Sequence, residues 1–274
     1  MSIAIIIPTY GHFEYAERAL RSAYQKTRDE ASIIFVDDAS PDWDSPPPAN
    51  VKGSMDGLWQ AYGEIPEGRK KFFHFAKNAG LTSAWNFGLH VARDMGCTYT
   101  CVTNSDVIFS QDWDKPILAN LEGSKRKRWD LLGPVTNGPG SEQDQHVRGH
   151  HPPPGYVQSD AEHEIDYTSR MLQWHNEDHV SRHAINGFCM VAKTETWWQY
   201  AYTKDAVFKP KNEFNSKMQR NPTPGMTLQE YELQARWREA GLRIGYCPGS
   251  FVFHYRSVTR GDRYKGANWY RTKA

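Results

Sequence analysis

Cysteine is scarce in this sequence. Cys97, Cys101, Cys189 and Cys247 are the only four in 274 residues, and no two of them form a C-x-x-C pair. That spacing excludes a dense disulfide framework and a structural zinc knuckle, and it suits free, buried thiols in a reducing compartment. Long apolar runs are missing too. The early run Ile3–Ile7 has no basic flank and is too short for a signal sequence, and nothing approaches the ~18 apolar residues of a spanning helix. A soluble, cytoplasmic protein is expected, and the lack of an Asn-x-Ser/Thr acceptor site agrees with that address. Neither charge is in excess: Lys+Arg total 33 against Asp+Glu 32. No global field therefore gathers a polyanion, and Lys125-Arg126-Lys127-Arg128 is a local exception. Internal repeats are absent as well, which excludes a solenoid.

What is present suffices for a large folded domain, with 39% hydrophobic and 13% aromatic residues. Ile3–Ile7, stopped by Pro8, reads as a strand buried on both faces of a parallel sheet. Phe13, Ala16, Ala19, Leu20 and Ala23 recur at helical spacing and predict a helix over 12–26. Further strands are predicted at 33–36, 71–76, 98–103, 130–135, 184–191, 243–246 and 251–254. Helices are predicted near 55–62, 82–95, 164–174, 194–202 and 227–240. Strands alternating with helices imply an α/β fold with a doubly wound, mostly parallel sheet, which binds ligands outside the carboxyl ends of its strands. Residues 136–160, rich in Gly, Pro, His and Asp, read as a long loop. Its His146, His150 and His151 are either solvent-facing or a metal cluster.

The strand at 98–103 runs into Asn104-Ser105-Asp106. Side chains alternate along an extended segment, so Asn104 and Asp106 point the same way. They suit either a shared Mg²⁺ or Mn²⁺, hard ions that take oxygen ligands, or an Asx-turn ending the strand.

Four segments stand in order: Ile5-Ile6-Ile7-Pro8-Thr9-Tyr10, Phe35-Val36-Asp37-Asp38-Ala39-Ser40, Asn78-Ala79-Gly80-Leu81 continuing to Ala84-Trp85-Asn86-Phe87-Gly88, and Asn104-Ser105-Asp106. Together they resemble family 2 of the inverting glycosyltransferases, which have the GT-A fold. The resemblance implies a nucleotide-sugar-binding half over 1–110, an acceptor-binding and catalytic half of the same domain over 111–256, and a basic aromatic tail over 257–274. It implies that Pro8, Tyr10 and Asp38 hold the nucleobase and ribose. An ionised Asp38 would accept a pyrimidine N–H, which favours UDP or dTDP over GDP. Asn78, Gly80 and Asn86 fall in the family's N-x-G-x-x-x-A-x-N-x-G run beside the donor, with Ser105 between the metal candidates. Trp85 stands where the family has Arg, so it is either a base-stacking ring or core.

Matches in the second half are looser. Gln229-Glu230-Tyr231-Glu232-Leu233-Gln234-Ala235-Arg236, then Ala240-Gly241-Leu242-Arg243-Ile244, resembles the family's E-D-x-D-L-x-x-R helix and the strand after it. Glu230 takes the place of the base that removes the acceptor proton, with Glu232 in reserve. Thr227-Leu228-Gln229-Glu230 also reads as a capping box, which would occupy the same carboxylate. Asn186-Gly187-Phe188-Cys189-Met190 resembles a segment bordering sugar and acceptor. His254 stands where the family often has a third metal ligand, and Arg256, with Arg260, Arg263 and Lys265, would close over the diphosphate.

The expectation is therefore a metal-dependent enzyme, using Mn²⁺ or Mg²⁺, that transfers a hexosyl or deoxyhexosyl group. The acceptor would be a glycan, a lipid-linked group or a protein, or else a modified nucleic-acid base. Two rivals stand beside it. A nucleotidyltransferase would normally carry a Gly-rich basic loop after the first strand, and Pro8-Thr9-Tyr10-Gly11-His12 lacks both features. An inactive carbohydrate-binding homologue is suggested by the ten Trp residues.

Overall fold

Buried β-branched runs and amphipathic helices alternate through the first half of the protein. The computed structural model describes residues 2–27, 30–41, 55–123, 128–137, 160–176, 181–182, 184–210, 213–214 and 228–255. Within them β1 (Ser2–Thr9), α1 (Phe13–Lys26), β2 (Glu30–Asp37) and α2 (Met55–Gly63) are followed by β3 (Lys70–His74), α3 (Leu81–Asp94) and β4 (Tyr99–Thr103). β1 pairs with β2 and β4, and β2 with β3, all in parallel. Both faces of β1 are covered, as its unbroken apolar run predicts. Ile3, Ile5 and Ile7 join the core on the α1 side, while Ala4 and Ile6 join a second core on the α3 side.

The second half contributes β5 (Val107–Phe109), α4 (Asp114–Glu122), β6 (Leu131–Val135), α5 (Glu162–Asn176) and β7 (Ser181–Arg182). β8 (Cys189–Lys193), α6 (Thr194–Gln199), α7 (Leu228–Glu239) and β9 (Ile244–His254) complete it. The sheet runs β3-β2-β1-β4-β8-β6-β9-β5, with β7 paired to β9 outside that path. β8 is antiparallel to β4 and β6, and β9 is parallel to β6 but antiparallel to β5 and β7. The parallel half is thus extended by a mixed half. This is the GT-A arrangement, an α/β sheet flanked by helices.

Two segments depart from expectation for local reasons. Residues 184–188 do not continue β8, because the Gln234 side-chain amide satisfies both the Ile185 N–H and its carbonyl without a neighbouring strand. The strands expected at 243–246 and 251–254 are one strand. Its register jumps from Pro134↔Cys247 to Val135↔Phe251, so Pro248-Gly249-Ser250 bulges and re-aims the end of β9. No described helix is long and apolar enough to cross a membrane. All four cysteines are free and buried, and burial pushes the Cys189 and Cys247 thiols well above their ordinary range.

α3 approaches β1 through Gly88. A Cβ at this position would come 2.9 Å from Ile6 Cγ1 and 3.0 Å from Cδ1. Ala is normally better than Gly inside a helix by about 1 kcal/mol. Here overlap in a packed core reverses the sign, and Gly88→Ala is expected to destabilise by about 1–3 kcal/mol. A lowered midpoint in urea or thermal unfolding checks this, and a raised midpoint would contradict the packing.

Candidate active site

Strand order reverses between the parallel neighbours β1 and β4, the switch point where such sheets open a crevice. On one side of it, the turns after β1 and β2 are tied to each other. Asp38 donates its N–H to the Thr9 carbonyl (2.8 Å), and Gly11 donates its N–H to Ser40 Oγ (2.7 Å). Ser40 in turn bonds Asp37 through its N–H (3.1 Å) and its hydroxyl, and His74 Nδ1 lies 2.7 Å from Asp37 Oδ2. Asp37 is fully buried, so this network is what meets its charge. His12 (φ 53°) and Ala39 (φ 60°) both sit in the left-handed region that non-glycine residues rarely occupy. Strain of this kind persists only where surroundings over-determine it, and it gathers at binding sites.

Asp38 serves a different bridge from its neighbour. Its carboxylate accepts N–H groups from Ala79 (2.7 Å) and Gly80 (2.8 Å), while Asn78 Nδ2 donates to its carbonyl (3.3 Å). The end of β2 is thereby fastened to the loop that starts α3, where Gly80 takes φ 86°. Burial pushes the Asp38 carboxyl above its ordinary range. The two amide bonds oppose that shift, and Asp37 adds to it. Each oxygen keeps a second lone pair. Pro8 is buried beside this turn and Tyr10 is 46% exposed over it.

Two residues of the N-x-G run take on structural work. Asn86 Nδ2 donates to the Phe208 carbonyl (2.9 Å) and Oδ1 accepts the Phe208 N–H (2.8 Å), so both ends of its amide brace that segment. Asn86 thereby braces the Phe208 backbone, a role the motif does not announce. Trp85 is core: it is 1% exposed and donates Nε1–H to the Thr103 carbonyl (2.9 Å) at the end of β4.

Across the crevice, Asn104, Ser105 and Asp106 leave β4, and His254 arrives on the tip of β9. β5 pairs antiparallel with β9, Val107 opposite His254, and Tyr255 donates its N–H to the Asp106 carbonyl (2.9 Å). Residues 148 positions apart therefore meet: His254 Nε2 lies 3.2 Å from Asp106 Oδ1 and 3.5 Å from Asn104 Nδ2. Asn137, just beyond β6, accepts the His254 N–H (2.8 Å), and the Phe188 ring stacks on the imidazole at 5.1 Å. No group of three or more His, Cys, Asp or Glu side chains suited to a metal occurs among the described residues. The group here instead combines one carboxylate, one imidazole and one amide. Neighbouring ligands of an octahedral ion at about 2.1 Å lie about 3 Å apart, so the Asp106–His254 spacing is one that a hard cation could bridge.

Glu230, in the first turn of α7, is 5% exposed and packs against Gly187. Glu232 is about 200° further round the helix. Arg236 holds its carboxylate through Nε (2.9 Å) and Nη2 (3.2 Å), and the same guanidinium bonds the Tyr200 and Val207 carbonyls. Glu232 is thereby tied into the packing of residues 200–207. Arg256, the rest of the tail, Thr227 of the capping box, Lys125–Lys127, His146, His150 and His151 lie outside the described residues. His74 and Asn137 were not singled out from sequence, and Phe188 and Gln234 entered only as members of longer matching segments. Asn137 alone left a readable trace, a polar residue just past a buried strand, as Asn104 is.

No family model matches the sequence, and no curated protein matches it. Among solved structures, residues 1–349 of S. aureus TarS match 93% of this chain at 14% identity with a TM-score of 0.51, over 60% of that chain. GalNAc-T7, solved with UDP, GalNAc and Mn²⁺, matches 93% at 14% identity with a TM-score of 0.56, over 43% of its length. The protein thus spans less than two thirds of either neighbour, and at this identity the likeness establishes the fold.

Proposed function

We propose that this protein is a metal-dependent glycosyltransferase of the inverting family 2 type. It moves a sugar from a nucleoside diphosphate donor, UDP or dTDP ahead of GDP, to a hydroxyl of a glycan, lipid-linked or protein acceptor. The observation that carries this reading is the meeting of Asn104, Asp106 and His254 across the switch point from the Asp38 turn. That GalNAc-T7 was solved with UDP and Mn²⁺ supports the choice of donor class and cation.

In this reading Pro8, Tyr10 and Asp38 hold the base and ribose, with a free lone pair of Asp38 accepting the pyrimidine N–H. Asn78 holds the Asp38 backbone carbonyl, the Ala79 and Gly80 N–H groups hold its carboxylate, and the backbone at Gly80 and Ser105 borders the donor. Asp106, His254 and Asn104 would hold Mn²⁺ or Mg²⁺. When bound, that ion supplies positive charge to the leaving diphosphate. Arg256 would add a second cationic contact. Glu230 takes the acceptor proton onto a carboxylate oxygen as the hydroxyl attacks the anomeric carbon from the face opposite the diphosphate. Glu232, engaged by Arg236, has no part in that step.

A panel of nucleotide sugars, each with Mn²⁺ or with chelator, tests the assignment through melting temperature and nucleotide release. Uridine or thymidine diphospho-sugars are expected to stabilise the protein only when Mn²⁺ is present, by about 2.7 kcal/mol at 100 times the dissociation constant. Slow release of UDP or dTDP to water should accompany binding. A panel in which no nucleotide binds, or in which chelator changes nothing, contradicts the proposal.

A further inference from the structure

Transfer by this route needs the base and the cation group to be held at one separation, and a single tetrapeptide touches both. Ile185–Phe188 lies outside the strands, just before β8, yet Ile185 and Phe188 are buried. On one side Gly187 lies under Glu230, and a Cβ there would come 2.6 Å from Glu230 Cδ and 2.8 Å from Cγ. On the other side Phe188 stacks on His254 with 16° between the rings, and its carbonyl accepts the Asn104 N–H (3.1 Å) and the Thr103 hydroxyl (2.6 Å). The tetrapeptide is itself gripped from α7. Gln234, one turn beyond Glu230 on the same helix face, donates Nε2–H to the Ile185 carbonyl (2.6 Å) and accepts the Ile185 N–H at Oε1 (3.0 Å). At 1% exposure this side chain pairs with backbone as another strand would.

We infer that Ile185–Phe188, clamped by Gln234, is a rigid spacer that sets Glu230 relative to Asn104, Asp106 and His254. Gly187 and Gln234 are its positioning residues. The inference rests on the function proposed above. Its physical basis is that a reacting group misplaced by about 1 Å loses about 10²-fold in rate. Gly187 serves because only a missing Cβ leaves room for the Glu230 carboxylate, and Gln234 serves because both halves of its amide are matched. Neither residue touches a donor or cation in this scheme, so their effects should fall on turnover alone.

The test uses the full chain with UDP and Mn²⁺ as binding probes, and UDP release from the nucleotide sugar that the panel identifies. Gly187→Ala and Gln234→Leu should each lower kcat by about 10²-fold, while the dissociation constants for Mn²⁺ and UDP stay at their unmodified values. Gly187→Ala should also lower the melting temperature, and in a Glu230→Ala background the same change should be silent, because the added methyl then has space. This thermal cycle decides the matter even if Gly187→Ala alone is too unstable to assay. An unchanged kcat in both variants, equal losses of kcat and Mn²⁺ affinity, or an additive cycle would overturn the spacer. The Asp106→Ala variant separates the two levels. Wild-type Mn²⁺ binding in that variant refutes the proposed function, whereas its loss alongside unaffected Gly187→Ala and Gln234→Leu enzymes refutes the spacer alone.

Discussion

Asp106→Ala is expected to lose Mn²⁺-dependent UDP binding, and transfer with it. Asp106 is the only carboxylate in the group that also contains Asn104 and His254. An imidazole and an amide without an anionic partner are poor company for a hard dication. Loss of an outer-shell partner alone typically weakens a metal site about 10–100-fold, so removing the anionic ligand should exceed 100-fold. The fold should survive. The Asp106 carbonyl accepts the Tyr255 N–H at the edge of the sheet, and alanine keeps that bond. Titration calorimetry with Mn²⁺ and UDP, read beside an unchanged circular dichroism spectrum, measures the effect. Near-native Mn²⁺ affinity would sink the metal assignment.

Glu230→Gln should spare both binding steps and reduce transfer by about 10²–10⁴-fold, the usual contribution of a positioned general base. Gln has nearly the same shape, so it should occupy the space beside Gly187 while being unable to take a proton. Single-turnover transfer, set against unchanged UDP affinity, separates this outcome from misfolding. Glu232→Gln is the internal comparison: it loosens the Arg236 grip on the 200–207 segment and should act on stability in place of chemistry. If Glu232→Gln slowed transfer more than Glu230→Gln, the base would have been assigned to the wrong face of α7.

Periodicity located elements better than it located partners. Uninterrupted isoleucines exposed β1, and the spacing of Phe13, Ala16, Leu20 and Ala23 exposed α1, because burial on one face or two leaves a count that can be read. β5 went unseen because Val107-Ile108-Phe109 is too short to show alternation. α4 went unseen because Pro116 looks like a breaker, although in a first turn it displaces no helical bond. In the site, Asn104 and Asp106 were visible through their place after a buried strand. That His254 meets them depends on the bulge at 248–250, whose consequence for direction is three-dimensional. The Asn86 brace was not legible, because a motif specifies residue type and not every polar group it will meet, and here one of those groups is the Phe208 backbone. Gln234 stood in its motif only as an unassigned position, since a glutamine on a helix is ordinary until it is known to meet the Ile185 backbone.

β9 enters the sheet between elements laid down much earlier, and its tip supplies the histidine that faces Asp106. A nascent chain that has already displayed every recognisable sequence block up to Asp106 still has no complete cation group. During synthesis, the group of Asn104, Asp106 and His254 would be completed late and all at once, when β9 docks. Truncations that stop short of it would lose the strand that β5, β6 and β7 all pair with, so the mixed half of the sheet and the His254 side of the group would be lost together.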